Sequence, residues 1–453
     1  MKQVTQPKRI LVVGAGGSMT QTFLKGVAAQ LPDNLSLNLR DINEAAAQQA
    51  ATLFPDGVAT AGELDLFDRE ALQSAIAEAD FVVNGAGPFH LTAGVVRRAA
   101  IKAGISYLDL DDDTESTLDG ICLSEEAKAN NSALYLGCGA SPGLTNVLAQ
   151  DLAEHLDRVE EIDVVWCVGD EGPQLLGRSV VAHTLHMGAG TYAGWRNGQQ
   201  TERQSYASSR RFSLPGLKKQ SFYECAHPEP VMLGHSYPDV RSVTCWGSLH
   251  PAPINGIIKG VALAEKSGRV STEDAITFLQ NAIAGQKTDK SVEQEAKKGI
   301  TQQLSAGEIS LWDVAEFLFR DLLKLQYPTK AATAAIVRGE YKGDIFELIR
   351  YVDSSPAGSP LKFMDVSTGY SQAAFFLEAI KNDPGTKAGC LFPEQWINPG
   401  VFYERLSQLL GIPVNSWLSP VRFRPFSENG AGHWTEWPEA PRAPSTQDIG
   451  RLS

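Results

Sequence analysis

Residues 10–31 limit the fold more than any other stretch of the chain. Ile10-Leu11-Val12-Val13 is a run of four apolar residues, three of them β-branched, and reads as a buried parallel strand. Gly14-Ala15-Gly16-Gly17 then turns the chain sharply, and Ser18 to Leu31 follows as a helix with Phe23, Leu24, Val27 and Leu31 on one face. Strand, glycine turn and helix together form a dinucleotide fingerprint. Residues without Cβ let a pyrophosphate approach the backbone, and the helix N-terminus offers unpaired N–H groups and partial positive charge. The expected cofactor contacts are Gly14, Gly16, Gly17, Ser18 and Met19. Met19 stands where a third Gly or Ala usually permits close helix–strand packing, which predicts a looser or shifted helix.

Strand and helix patterns keep alternating. Leu35, Leu37 and Leu39 alternate into Arg40-Asp41, and Asp41 lies 24 residues after Gly17, near the place of a ribose-binding acid. An aspartate there repels a 2′-phosphate and favours NAD, whereas Arg40 would pair with that phosphate and favour NADP; the choice stays open. Asp65, after a third short strand, is a candidate for the adenine edge. Phe81-Val82-Val83-Asn84 runs into Gly85-Ala86-Gly87-Pro88-Phe89-His90. Ligands of doubly wound sheets sit beyond the carboxyl ends of the strands, so Asn84, Ala86, Gly87 and Pro88 are assigned to the cofactor.

A helix over Thr92–Ala103 and a strand ending at Asp109 lead into Leu110-Asp111-Asp112-Asp113-Thr114-Glu115. Asp109 and Asp111 are expected to face the crevice, where a carboxylate holds a substrate ammonium or relays a proton. Asp112, Asp113 and Glu115 read as a solvated, helix-capping loop. His90 is the nearest acid/base group for neutral pH. Ala133 to Gly137 is a sixth strand, followed by the turn Cys138-Gly139-Ala140-Ser141-Pro142-Gly143-Leu144-Thr145-Asn146.

The order of these turns resembles the saccharopine dehydrogenase-like family, with carboxynorspermidine dehydrogenase among its relatives. The matching pieces are Val13-Gly14-Ala15-Gly16-Gly17, Leu39-Arg40-Asp41, Gly87-Pro88-Phe89-His90, Gly104-Ile105-Ser106-Tyr107-Leu108-Asp109 and Gly139-Ala140-Ser141-Pro142-Gly143. The last two are the more specific, since a generic dinucleotide fold calls for neither Tyr-x-Asp nor Pro-Gly. The resemblance implies a nicotinamide cofactor and chemistry that makes or breaks a C–N bond through an imine. It also places Phe89, Ser141, Pro142, Gly143 and Asn146 on the substrate side. Saccharopine-forming members carry an acid before the Pro-Gly and a His shortly after it. Ser141 and Asn146 depart from that pattern, which implies a different substrate pair.

With 453 residues the chain has room for two or three domains, and its 43% hydrophobic content supplies real cores. A net charge of −13 argues against nucleic acid or an anionic membrane as partner and suits an amine-bearing substrate. The apolar runs are too short to span a bilayer, and the polar residues 1–9 leave no room for a signal peptide, so a cytoplasmic location is expected. Six scattered cysteines without a Cys-x-x-Cys pair fit reduced thiols.

Beyond Leu156 longer β runs take over. Glu161 to Val168 alternates, predicting an antiparallel strand covered on one side. His183 and His186 share one face of a helix over 178–189. No nearby carboxylate completes a metal set, so packing or substrate contact is expected and no metal. Asn197-Gly198 and Lys342-Gly343 mark hairpins. Arg211, His227, Glu229 and Trp246 are further crevice candidates. Residues 266–326 read as helical, with Trp312, Ala315, Phe319, Leu322 and Leu323 forming an apolar face of the type used in a subunit contact or lid. Thr368-Gly369 is expected to begin a helix.

The expected fold is α/β: an N-terminal Rossmann-type doubly wound parallel sheet plus a second α+β domain with a largely antiparallel open sheet. Its boundaries are 1–140 for the dinucleotide domain, rejoined by about 365–412, then 141–364 for the substrate and dimerisation domain, with 438–453 as a loose tail. The expected activity is an NAD(P)-dependent oxidoreductase acting on a C–N bond, in a homodimer, joining an amine or amino acid to a carbonyl compound or the reverse. Asp109, Asp111 and His90 are the catalytic candidates. A homospermidine synthase-like transferase without net redox and a non-catalytic NAD(P)-binding sensor are the alternatives.

Overall fold

In the first third of the chain, strands alternate with amphipathic helices: β1 (Lys8–Val13), α1 (Ser18–Ala29), β2 (Leu35–Asp41), α2 (Glu44–Ala51), β3 (Ala59–Glu63), α3 (Arg69–Ala77), β4 (Phe81–Asn84), α4 (Phe89–Ala103), β5 (Ser106–Asp109), α5 (Thr114–Cys122), α6 (Ser124–Ala129), β6 (Ala133–Tyr135) and α7 (Leu144–Ala153). The computed structural model describes residues 8–169, 177–214, 217, 219–325, 327, 330–353, 360–381, 388–426 and 433–437. The strands form one parallel sheet in the order β3-β2-β1-β4-β5-β6, with a seventh strand beyond β6. The two faces of β1 explain its unbroken apolar run. Ile10 and Val12 join Phe23, Leu24 and Val27 on one side, while Leu11 and Val13 join Leu72, Ile76 and Val96 on the other. The winding reverses between β1 and β4, and the ends of those two strands carry the Gly14 and Gly85 turns.

The chain continues with β7 (Arg158–Val168), α8 (Arg178–Met187), β8 (Thr191–Arg196), β9 (Gln199–Gln204), β10 (Ser209–Phe212), β11 (Gln220–Glu224), α9 (Glu229–Ser236), β12 (Ser242–Leu249), α10 (Pro253–Lys266), α11 (Thr272–Ile283), α12 (Lys290–Ser305), α13 (Leu311–Leu322), β13 (Ala332–Tyr341) and β14 (Asp344–Val352). A second, mixed sheet results. Its β7 pairs parallel with β12 and antiparallel with β13, and the other described pairings are antiparallel. β7 is therefore a central strand, and Val164 to Cys167 are buried in succession rather than alternating. The polar residues that suggested one open face lie in its first half. Both hairpins form, with Asn197, Gly198, Lys342 and Gly343 all at positive φ as a two-residue primed turn requires.

The last described elements are α14 (Met364–Ala379), β15 (Gly389–Leu391), α15 (Pro393–Trp396), α16 (Pro399–Leu410), β16 (Arg422–Pro425) and β17 (Thr435–Glu436). Thr368-Gly369 lies inside α14, not at its start. The glycine serves packing, since a Cβ at Gly369 would stand 2.7 Å from Met19 O on α1. β15 pairs with β6 and completes the parallel sheet. The expected tail, 438–453, lies outside the described residues. No residue of α13 is buried, and Trp312, Phe319 and Leu322 are exposed on it. Among the described residues no helix is long and apolar enough to cross a membrane.

Candidate active site

The glycine turn after β1 is packed hard against the turn after β4. Gly14 sits at φ +73°, and a Cβ there would fall 2.5 Å from Ala86 N in the turn after β4. Any other residue would drive the two turns apart. Gly17 caps α1 without a side-chain bond, so the first N–H groups of that helix face outward unclaimed by a capping side chain. The hydroxyl of Thr20, buried under this turn, has no hydrogen-bond partner among the described residues. A crowded backbone cradle with free donors fits a pyrophosphate.

Met19 does not loosen the helix. It leans on Phe89, Ala93 and Leu110, and close approach to the sheet is supplied from the opposite side, where a Cβ on Gly85 would collide with Thr20. Asp41 holds the loop itself: its Oδ2 accepts from Gly16 N at 2.8 Å and its Oδ1 from Asn43 N at 2.9 Å. Arg40 extends over β3, its Nε donating to Asn38 Oδ1 at 2.7 Å and its guanidinium covering Gly62. Asp65 is exposed and accepts from Phe67 N at 2.9 Å. Asn84 is wholly buried, with Oδ1 accepting from Ala86 N at 3.0 Å and Nδ2 donating to Tyr107 Oη at 2.9 Å. It shapes the turn of Ala86, Gly87 and Pro88 instead of reaching a ligand directly.

Two of the sequence-based assignments are corrected at the next strand end. Asp109 and Asp111 do not face the crevice, for both are fully buried on the guanidinium of Arg97. Arg97 Nη2 donates to Asp109 Oδ2 at 2.6 Å and also to Asp111 Oδ2, while Nη1 donates to Ser116 O at 2.5 Å. Asp109 Oδ1 further accepts from Gly137 N at 2.9 Å. Arg97 was missed because it lies in a helix that reads as half exposed. Its spacing was the available signal, since Ala93, Val96, Arg97, Ala100 and Ile101 fall on one buried stripe. Burial drives the Asp111 carboxyl up, Arg97 opposes it, and Asp109 adds to the rise, to about 7.

The carboxylates read as solvated are the ones that meet the histidines. Asp113 is 2% exposed and caps α4, accepting from His90 N at 2.9 Å. The same carboxylate lies 3.2 Å from His90 Nδ1 and 2.9 Å from His183 Nδ1. His183 Nε2 is 3.4 Å from Asp112 Oδ2, and His186 Nε2 is 3.4 Å from Glu115 Oε2. The His90 and His186 rings stack at 5.5 Å. Burial acts against charge on His183, but Asp112 and Asp113 outweigh it and lift its pKa to about 10. On His90 the hydrogen bond to Asp113 dominates and raises the pKa. Burial alone would raise Asp113, yet its bonds to His183 and His90 hold it below the usual carboxylate range. Helix α8 carries His183 and His186 to this place, and Ser179 Oγ docks it by donating to Gly87 O at 3.0 Å.

A second buried set adjoins the first. Glu229, wholly buried, accepts from His227 Nδ1 at 2.7 Å, from Thr145 Oγ1 at 3.1 Å and from Ser141 Oγ. The His183 and His227 rings meet edge to face at 5.7 Å. Ser141 is half-buried and orients Glu229, whereas Pro142 and Gly143 are buried. Asn146 is an internal strut, not a substrate contact: Oδ1 accepts from Gly143 N at 3.0 Å and Nδ2 donates to Glu394 Oε2 at 2.9 Å. Phe89 is 5% exposed and packs with Met19, so it lines the wall from behind. Arg211 and Trp246 lie elsewhere, on Gly307 O and Asp163.

Residues 10–137 match the model of the saccharopine dehydrogenase NADP binding domain. Over nearly its whole length the fold is similar to that of apo histidine-tagged saccharopine dehydrogenase (L-Glu forming) from Saccharomyces cerevisiae. The two share 15% identity and a TM-score of 0.54, covering 92% of this chain and 99% of that one. GenD2 from gentamicin A biosynthesis, in complex with NAD, is 13% identical with a TM-score of 0.38, over 91% of this chain and 94% of that one. A dehydrogenase (MviM) from Clostridium difficile is 9% identical with a TM-score of 0.35, over 90% and 99%. Both are too distant in shape to add to the argument. Residues 10–137 are thus an NAD(P)-binding domain of the saccharopine dehydrogenase type, and the chain as a whole has a fold like that of saccharopine dehydrogenase.

Proposed function

We propose that the protein is an NAD(P)-dependent oxidoreductase acting on a C–N bond, with an amine or amino acid on one side of the reaction and a carbonyl compound on the other. The observation that carries this reading is the acidic, histidine-lined group at the carboxyl ends of β4 and β5. Asp112, Asp113 and Glu115 meet His90, His183 and His186 beside the Gly85–Pro88 turn, which itself touches the glycine loop at Gly14. Such a surface favours a cationic amine and can exchange a proton with it.

The bound nicotinamide would supply hydride transfer to or from the carbon of the C–N bond. Gly14, Gly16, Gly17 and Ser18 would hold its pyrophosphate on the N-terminus of α1, with Arg40 and Asp41 at the ribose end. Glu115, partly exposed at the rim, would draw in the ammonium. His90, with its side chain 31% exposed and its ring held by Asp113, is placed to give or take the proton that accompanies the change in the nitrogen. Ser179 on Gly87 O keeps α8 closed over this group and limits water. Asp109 and Asp111 act at one remove, through Arg97, by fixing the loop that presents Asp112 and Asp113.

The test is steady-state turnover of NADH and NADPH with a panel of amines paired with keto acids or aldehydes. Stoichiometric cofactor oxidation with a secondary amine product is the expected result. Product formed without net oxidation would make the enzyme a transferase, and cofactor binding without any product would make it a sensor.

A further inference from the structure

Two imidazoles in the candidate site are oriented in the same way by carboxylates on their inner nitrogens. His183 Nδ1 lies 2.9 Å from Asp113 Oδ1, and His227 Nδ1 lies 2.7 Å from Glu229 Oε2. A carboxylate on Nδ1 orients each ring with Nε2 outward, as around metal-ligating histidines, and a cation at Nε2 of His183 would take the place of the proton that its carboxylates otherwise hold there. Asp112 is the third member of this group. His183 Nε2 is 3.4 Å from Asp112 Oδ2, and one ligand atom from each of Asp112, His183 and His227 lies within 4.8 Å of the other two. Tetrahedral coordination with bonds of about 2.0–2.1 Å sets donors roughly 3.3–3.4 Å apart. The Asp112–His183 pair already has that spacing, and His227 offers its ligand atom within 4.8 Å of both.

We propose that Asp112 Oδ2, His183 Nε2 and His227 Nε2 form a binding site for a divalent transition cation of the zinc class, with Asp113 and Glu229 as the residues that orient the two rings. Two imidazoles and one carboxylate are a donor set for Zn2+ or Fe2+, harder than thiolate sites and softer than the all-oxygen sites of Mg2+ or Ca2+. Three protein ligands leave a coordination position open. Asp112, whose side chain is 30% exposed, is the most accessible of the three, so the open position lies on the cleft side. The neighbouring trio of His227, Glu229 and Cys245 is a poorer candidate: all three are buried, and the Cys245 sulfur is engaged by Trp166 Nε1 at 3.2 Å. The pairing was invisible along the chain, because 112, 183 and 227 lie on three different elements and show no ligand spacing.

The site is tested on the full chain, without a histidine tag, after chelation and dialysis, by titration with Co2+ and then Zn2+. A visible d–d absorption that saturates at one Co2+ per chain and is displaced by Zn2+ is expected. Asp112→Asn and His183→Ala should each weaken Co2+ binding by at least about tenfold. No absorption change, or a band of unaltered affinity in both variants, overturns the proposal. Should His183→Ala fail to fold, Asp112→Asn decides alone, since that side chain is partly in solvent. Metal uptake is read here without substrate, so it is separable from the proposed reaction. Co2+ binding in a protein with no C–N turnover would sink the reaction and keep the site, and full turnover without any Co2+ binding would do the reverse.

Discussion

Asp109 and Asp111 leave the end of β5 within a few residues of Asp112 and Asp113, yet the two pairs do opposite work. The inner pair is sealed on Arg97 and ties the loop to helix α4 and to Gly137. The outer pair meets the histidines of α4 and α8 at the cleft. Identical side chains thus become a sealed clamp or a histidine-facing group according to which cation they meet: a guanidinium that stays charged, or imidazoles that can lose a proton.

Breaking the clamp should have the largest effect. Arg97→Met leaves two carboxylates buried without a counter-charge, and a loss of about 3–5 kcal/mol of stability in urea unfolding is expected. A protein as stable as the parent would erase the distinction between the pairs. Next is Asp113→Asn, which keeps the shape but removes the charge that holds His90 and His183. Turnover should fall by about 10²-fold, while stability falls by only about 1 kcal/mol for the weakened cap of α4. The opposite pattern, a large melting shift with intact turnover, would move Asp113 to the structural side.

Outside both pairs, Asp41→Ala removes the negative charge beside Arg40. It should shift the preference from NADH toward NADPH by about tenfold in kcat/KM, or ~1.4 kcal/mol. An unchanged ratio would confine Asp41 to its bond with Gly16. The mildest change is expected at the rim, where Glu115→Gln weakens a half-exposed contact with His186 and should raise the amine KM by roughly twofold.

The sequence made the nucleotide half legible because its signals are local. Gly14 and Gly17 adjoin the strand and helix they serve, and Asp41 ends the next strand in the pattern. Side-chain facing in the acidic loop was not legible, because strand alternation stops at Asp109 and the loop after it has no period. What decides each carboxylate is a partner 12 residues back, at Arg97, or 70 residues on, at His183. Asn146 illustrates the same limit: a polar residue in a small-residue turn reads as a substrate contact until its partner, Glu394, is seen 248 residues away. In β7 the charged first half suggested a solvated face, but its second half is packed on both faces, Val164 and Trp166 in one core and Val165 and Cys167 in another.

The parallel sheet is closed by β15, a strand of three residues drawn from beyond position 388. The nucleotide domain is therefore a loop in topology rather than a bead on a string. A gene fragment ending near residue 140 would lack the strand that covers the β6 edge and the Glu394 that anchors Asn146. Recombination between relatives would have to exchange two distant segments together to keep this sheet whole. A contiguous family match that stops at residue 137 describes the longer of those segments and leaves its short complement to be found in three dimensions.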